Sequence, residues 1–326
     1  MLKVLEVNKS DLKGITTLFD SNYEGVLLED RSISRESKLE YIIAQFTKGD
    51  RFFAVKEADK ILALAGLKKE DWDTEHFGIK MASLKIKSIA KGKKKRRQVS
   101  RFLIGDVVKT ASKEGYQHIS IKINPEQKEE IFSLEEADFY YVASLITYIV
   151  DLKGFSQSLS EALPFIIDNY KSEDLTKLKK IAYESFSDGE VWSDRFHNDP
   201  YLDNRKCDEL YVKWLTNCCL GKEADIVLVA RKDDRPLGFI SAKYDRKIKR
   251  FLGKKVASIP LNAVDKRYRR QGIYKSLVYK MLSILKRRGT DYAMITTQLN
   301  ILAVRKVWHN IGGRIESLKL VFHKKL

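Results

Sequence analysis

With Gly115 laid on Gly289, the chain repeats itself. The segment GYQHISIKINPEQKEEIFSLEEADFYYVASLITYIV falls on GTDYAMITTQLNILAVRKVWHNIGGRIESLKLVFHK without a gap. Each copy reads as a β-rich apolar segment (Ile119 to Ile123; Ala293 to Thr297), a helix, a turn and a closing strand (Tyr141 to Val150; Ile315 to His323). In the same register KGKKKRRQVSRFLIGDVV lies on KRYRRQGIYKSLVYKML to within a residue. Upstream, VKEADKILALAGL resembles ARKDDRPLGFISA, a hairpin in both copies. Matches in one order at nearly one offset predict a tandem duplication.

The join falls at DLKGFSQSLS, residues 151–160, where apolar periodicity lapses and Gly and Ser collect. That divides the 326 residues into halves 1–152 and 160–326, each of ordinary domain size. In the second half the pattern predicts helices at Glu173–Ser187 and Arg205–Cys219, then strands at Asp225–Ala230, Pro236–Tyr244 and Lys255–Val264. A helix over Gly272–Arg288 and the strand–helix–strand ending complete it. Strands followed by single helices predict an α/β (α+β) class, with mixed central sheets flanked by helices.

Charge narrows the partners. Lys and Arg number 61 against 44 Asp and Glu, a formal balance of +17. Such an excess suits a nucleic acid, an acidic membrane surface or a phosphate-rich ligand, and it is also the habit of lysine-rich proteomes. An apolar share of 44% supports packed cores. No run of about 18 apolar residues is present, so no spanning helix is expected. The start, MLKVLEVNKSDLKG, has no signal-peptide core, and the expectation is a cytoplasmic protein. Cys207, Cys218 and Cys219 have neither a disulfide framework nor metal-site spacing, and the 5 histidines are scattered, so no metal is expected.

One glycine stands out. A strand ending at Val264, a basic turn and a helix beginning near Gly272 make an outward-facing helix N-terminus, whose first N–H groups and dipole favour an anion. A glycine there lets the backbone approach a phosphate, and Arg269 and Arg270 add forked donors. Together they describe a pyrophosphate cradle. YRRQGIY also resembles the R-x-x-G-x-[GA] signature of the GNAT acyltransferase superfamily, with Tyr274 where Gly or Ala is usual. TTQLNILAVRKVW, the ending SLKLVFHKKL and the segment DWDTEHFGIKMASL extend the resemblance to GNAT proteins akin to dTDP-fucosamine acetyltransferase.

The resemblance implies an N-acyltransferase that moves an acetyl or other acyl group from acyl-CoA to the amine of a small polar acceptor. A nucleotide-linked amino sugar is the leading candidate. It implies a cofactor-binding set of Leu261, Ala263, Val264, Arg269, Arg270, Gln271, Gly272, Ile273 and Tyr274, with strand 261–264 offering backbone N–H to the thioester carbonyl. The usual Asn and Tyr of the following helix are replaced. Asn300 lies next to the first position, and Trp308, which has no titratable proton, holds the second. Trp308 then walls the pantetheine channel or belongs to the core.

For the acceptor, the loop DGEVWSDRFHNDPYLD offers Arg195 for a phosphate and His197 to take the amine proton, with Asp199 or Glu190 to orient it. Its alternative reading is a capped surface loop. Asn262 is the strand's candidate contact to the acceptor. Trp72, Asp73 and Phe77 read as a turn packed on the core or as acceptor wall. In the first half Gln98 meets Gly272 and Val99 follows, so this half is expected to be degenerate and to bind no CoA. Its run Lys91–Arg97 is either a solvated face or a weak polyanion site. Two rival functions stay open: a Fem-type transferase using aminoacyl-tRNA, and a non-catalytic GNAT-like module binding nucleic acid or protein.

Overall fold

The computed structural model describes residues 2–8, 25–58, 60–156, 164–187 and 194–326. Glu190 and residues 157–160 of the expected join lie outside them. The first half runs β1 (Leu2–Val7), α1 (Val26–Glu29), α2 (Arg35–Phe46), β2 (Arg51–Glu57), β3 (Lys60–Lys69), α3 (Asp71–Phe77), β4 (Met81–Ser88), α4 (Lys93–Lys113), β5 (His118–Ile123), α5 (Lys128–Glu135) and β6 (Tyr140–Asp151). The second runs β7 (Ile166–Asn169), α6 (Leu175–Phe186), α7 (Asn204–Cys219), β8 (Ile226–Lys232), β9 (Arg235–Tyr244), α8 (Arg246–Leu252), β10 (Val256–Ser258), β11 (Asn262–Val264), α9 (Ile273–Arg287), β12 (Tyr292–Gln298), α10 (Leu302–Asn310) and β13 (Arg314–Lys325).

The repeat is visible in detail. Hairpin β2–β3 closes with Glu57 opposite Lys60, and β8–β9 with Lys232 opposite Arg235. Asp233 and Asp234 take φ of 48° and 57°, the left-handed pair that a two-residue hairpin turn requires. Strand β4 runs parallel to β5, and β10 parallel to β12.

What the repeat does not announce is an exchange of closing strands. Among the described residues the strands form one 13-stranded sheet in the order β1-β2-β3-β4-β5-β13-β6-β12-β10-β9-β8-β7, with β11 on β9. Strand β13 pairs antiparallel with β5 (Leu320 opposite Ile123), and β6 with β12 (Tyr292 opposite Asp151). Each half is therefore closed by the last strand of the other.

One face of the sheet carries α4 and α9. Leu103, Ile104 and Val107 pack on Ala82, Leu84, Ile119 and Ile121 in the first half. Leu277, Val278, Met281 and Leu282 pack on Leu228, Ile240 and Ile295 in the second. Apolar residues spaced three and four apart put one stripe of each helix inward. Each fully buried Leu contributes roughly 2 kcal/mol, and Leu282→Ala would cost about 2–5 kcal/mol.

The opposite face carries α6 and α7, whose core takes in Phe77 and Met81 of the first half. The Phe77 and Phe196 rings lie 5.6 Å apart, and Lys206 Nζ donates to Phe77 O at 2.6 Å. Phe77 is thus a core residue bridging the halves.

Candidate active site

The sequence predicts one strand over Lys255–Val264, and the structure breaks it in two. Strand β10 pairs with β12, and Ile259 N still donates to Met294 O at 2.8 Å. Pro260 follows, and it has no N–H to continue the ladder. Strand β11 then pairs with β9 alone. Gly238 makes that approach possible, since a Cβ there would stand 2.7 Å from Ala263 O. A gap consequently opens between β11 and β12.

Hydrogen bonds decide which groups face the gap. Ser241 N donates to Leu261 O at 3.0 Å, and Asp265 N donates to Leu237 O at 2.9 Å. Leu261 N–H is itself taken by Ser241 Oγ at 3.1 Å. Antiparallel alternation then directs Leu261 and Ala263 toward β9, leaving the N–H groups of Asn262 and Val264 on the gap side. The expected donor set is corrected accordingly: neither Leu261 nor Ala263 offers its N–H to a thioester.

The basic turn leads on from Val264. Buried Asp265 accepts from the N–H and Nε of Arg267, both at 3.0 Å, and so ties off the turn 266–268. Arg269 Nε reaches back to Val264 O at 3.3 Å. Arg270 and Gly272 have φ of 64° and 79°, and α9 starts at Ile273. A Cβ on Gly272 would meet nothing within 4 Å, so the left-handed backbone is what calls for glycine, and the space before it is open. Arg270, Gln271 and Gly272 are exposed, next to the first-turn N–H groups of α9. Ile273 is buried in the core, and Tyr274 OH accepts from Trp308 Nε1 at 3.1 Å. These two side chains anchor the helix start, which leaves backbone for a ligand.

Trp308 has 0% exposure, so the channel-wall reading gives way to the core one. Burial raises the Tyr274 phenol above its ordinary range. Asn300 is exposed at the end of β12, where its carbonyl accepts from Leu302 N at 2.9 Å.

The acceptor loop is rearranged relative to expectation. His197 Nδ1 lies 2.8 Å from Asp194 and Nε2 3.1 Å from Asp208, so both ring nitrogens are engaged. Burial opposes its charge, but Asp194 and then Asp208 outweigh that and raise its pKa. A ring with both nitrogens held by carboxylates has no free one for an amine proton.

Asp199 does not orient His197. It is buried, and its Oδ2 faces His118 Nε2 at 2.8 Å and His323 Nδ1 at 2.7 Å, while Oδ1 accepts from Tyr140 OH at 2.9 Å. Burial pushes His323 down to about 4. The three ligand-type atoms of His118, Asp199 and His323 lie within 4.8 Å of one another, a spacing that metal sites share, here closed by hydrogen bonds. The arrangement pins β5, β13 and the loop together.

Arg195 stacks its guanidinium 4.3 Å from the centre of the Phe196 ring and lines a cleft of about 290 Å³. The cleft floor is the first half of the sheet: Gly66 and Lys68 on β3, Ser83 and Lys85 on β4, Ser120 and Lys122 on β5. Lys48, Glu70 and Asp73 form the rim. Sequence reading had a signal for this: MASLKIKS and HISIKI alternate, which puts these Ser and Lys residues on one face.

The helix of the first half also departs from expectation. Helix α4 has 21 residues against 15 in α9, and its N-cap is Gly92, with φ of 79°. Gln98 and Val99 therefore lie inside the helix, Val99 in the core. The matching glycine exists, displaced upstream. In the basic run, Lys95, Arg96 and Arg97 pair with Glu57, Glu130 and Glu136, which leaves fewer cations for a polyanion.

Residues 182–312 match the acetyltransferase (GNAT) family. The matched stretch lies within the second half and contains β11, the Gly272 turn and α9. No curated protein matches the chain. Among solved structures it is similar to a GCN5-related N-acetyltransferase from Sphaerobacter thermophilus, with a TM-score of 0.62 at 12% identity over 99% of this chain and 95% of that one. A GCN5-related glucosamine N-acetyltransferase region of a fungal multi-domain GH3 beta-N-acetylglucosaminidase gives 0.64 at 13% identity over 99% of this chain and 38% of that one. A tandem GNAT protein from the clavulanic acid biosynthesis pathway gives 0.54 at 10% identity over 100% and 98%. At such identities the likeness shows the fold, and that fold is a tandem GNAT fold. No helix among the described residues is long and apolar enough to cross a membrane.

Proposed function

We propose that the chain is an N-acyltransferase in which the second half holds acyl-CoA and the acceptor is an anionic amine, a nucleotide-linked amino sugar being the leading candidate. The reading rests on one observation: the gap-side N–H groups of Asn262 and Val264 run directly into an open, left-handed glycine turn at a helix N-terminus. Pyrophosphate would sit on the N–H groups from Gln271 to Lys275, with Arg270 adding charge. The N–H of Asn262 or Val264 would polarise the thioester carbonyl. The acceptor nitrogen attacks the carbonyl carbon, the C–S bond breaks, and the proton lost by nitrogen offsets the one gained by the thiolate. Trp308 and His197 supply neither proton step, so solvent carries the exchange.

Calorimetry with acetyl-CoA tests the cofactor assignment. Gly272→Glu puts bulk and like charge in the cradle and should abolish binding. Gly272→Ala should retain most of it, because a methyl group there meets nothing. Equal affinity in wild type and a folded Gly272→Glu protein would sink the assignment.

A further inference from the structure

In the first half β4 and β5 stay paired only from Met81–His118 to Leu84–Ile121. Lys85 and Lys122 are the next positions, where the strands part, and both line the cleft. The repeat makes this parting the counterpart of the gap in the second half. Here it holds amines where the other half holds an open slot.

The charges in the cleft do not balance. Lys68 pairs with Glu70 at 2.7 Å, and Glu70 also accepts from Ser83 Oγ at 2.5 Å, so that pair is internally satisfied. Among the described residues, Lys48, Lys85, Lys122 and Arg195 make no ion pair. Lys85 donates instead to the Gln45 carbonyl. Asp73 is the one acid left on the rim, and burial raises its pKa.

The cations act on one another. Arg195, with partial desolvation second, lowers Lys122 to about 7, and partial desolvation, then Lys48 and Lys68, lowers Lys85 to about 8, both side chains still reaching solvent. Lys247 on α8 adds repulsion at Lys48 from the second half. Like charges gathered in a cleft without counter-charge raise the energy of the empty site, and a multivalent anion relieves it.

We propose that this cleft is a phosphate-binding site, seated on Lys85, Lys122 and Arg195, and that it holds the phosphate of the acceptor. The proposal rests on the acyltransferase reading for the identity of the ligand. A phosphate ester fits because it brings close to two charges and three acceptor oxygens to three donors. The Asp73 carboxyl stands on the same rim to receive the acceptor's ammonium group. The half that lost the CoA turn would thereby serve the second substrate.

The test uses the full chain saturated with CoA, so that the Gly272 turn is occupied, and titrates inorganic pyrophosphate by calorimetry at low salt. One equivalent should bind, weakened at least tenfold by Lys122→Met and by Lys85→Met. Gly272→Glu, whose turn is blocked and which is titrated without CoA, should bind pyrophosphate as the wild type does, and neither lysine variant should alter CoA affinity. Wild-type protein offers a check that needs no variant: pyrophosphate should protect Lys85 and Lys122 from amine-acetylating reagent. Absence of pyrophosphate binding, or binding indifferent to both lysines and without protection, overturns the proposal. Loss of CoA binding with pyrophosphate binding intact would instead remove the acyltransferase reading and leave the cleft standing.

Discussion

At the scale of single residues, His197 shows how partners decide a role. An imidazole with one free nitrogen is a base, whereas one held between Asp194 and Asp208 is a member of a fixed network. Its pKa is raised in the folded chain, so it binds more protons folded than unfolded just above the ordinary value. The stability it contributes is fully present below about pH 6.5 and fades as pH rises through the folded value. Proton NMR should find His197 titrating above the ordinary histidine range. His197→Ala should destabilise by about 3 kcal/mol, as expected when buried carboxylates lose their cation.

Trp308 makes the companion case. Trp308→Phe strands the buried Tyr274 hydroxyl without its donor and should cost about 1–3 kcal/mol in denaturant melts. The basic limb of the pH–rate profile should stay in place, since indole has no proton to give near neutrality. A moved limb would mean that Trp308 orders the true acid.

At the scale of elements, two helices from one duplicated plan have parted in length. Lys, Arg and Gln are good helix formers, so KKKRRQ extends α4 backward to Gly92 where YRRQG halts α9 at Gly272. The extended helix occupies the place of the turn, and one CoA per chain is the stoichiometry expected from calorimetry. Two equivalents would mean that the Gly92 terminus is also a cradle.

Much of this was legible and some was not. Order and type of the elements follow from periodicity, and Pro260 was an available warning that strand 255–264 would break. The partners of Asp199 were out of reach, because His118 and His323 lie 81 and 124 residues away in sequence. Strand exchange was equally hidden, since a repeat reads the same whichever half each closing strand joins.

At the scale of the molecule, the two halves do not stand side by side as separable units. Strands β6 and β13 have 12 residues each and lie at the centre of the sheet, between β5 and β12. Removing residues 314–326 should expose an edge of β5 and of β6 together. The truncated protein should be aggregation-prone and should lose its cooperative melt throughout; an unchanged melt of the first half would contradict this.

The exchanged strands also set a timetable for synthesis. Residues 118–123 leave the ribosome long before residues 314–325, which are their neighbours in the finished sheet. The first half must wait for those residues with one sheet edge unpaired, and contacts so distant in sequence form slowly. A newborn chain of this kind depends on residues 314–325 to complete its first half, so helpers that shield strand edges during translation should raise its yield.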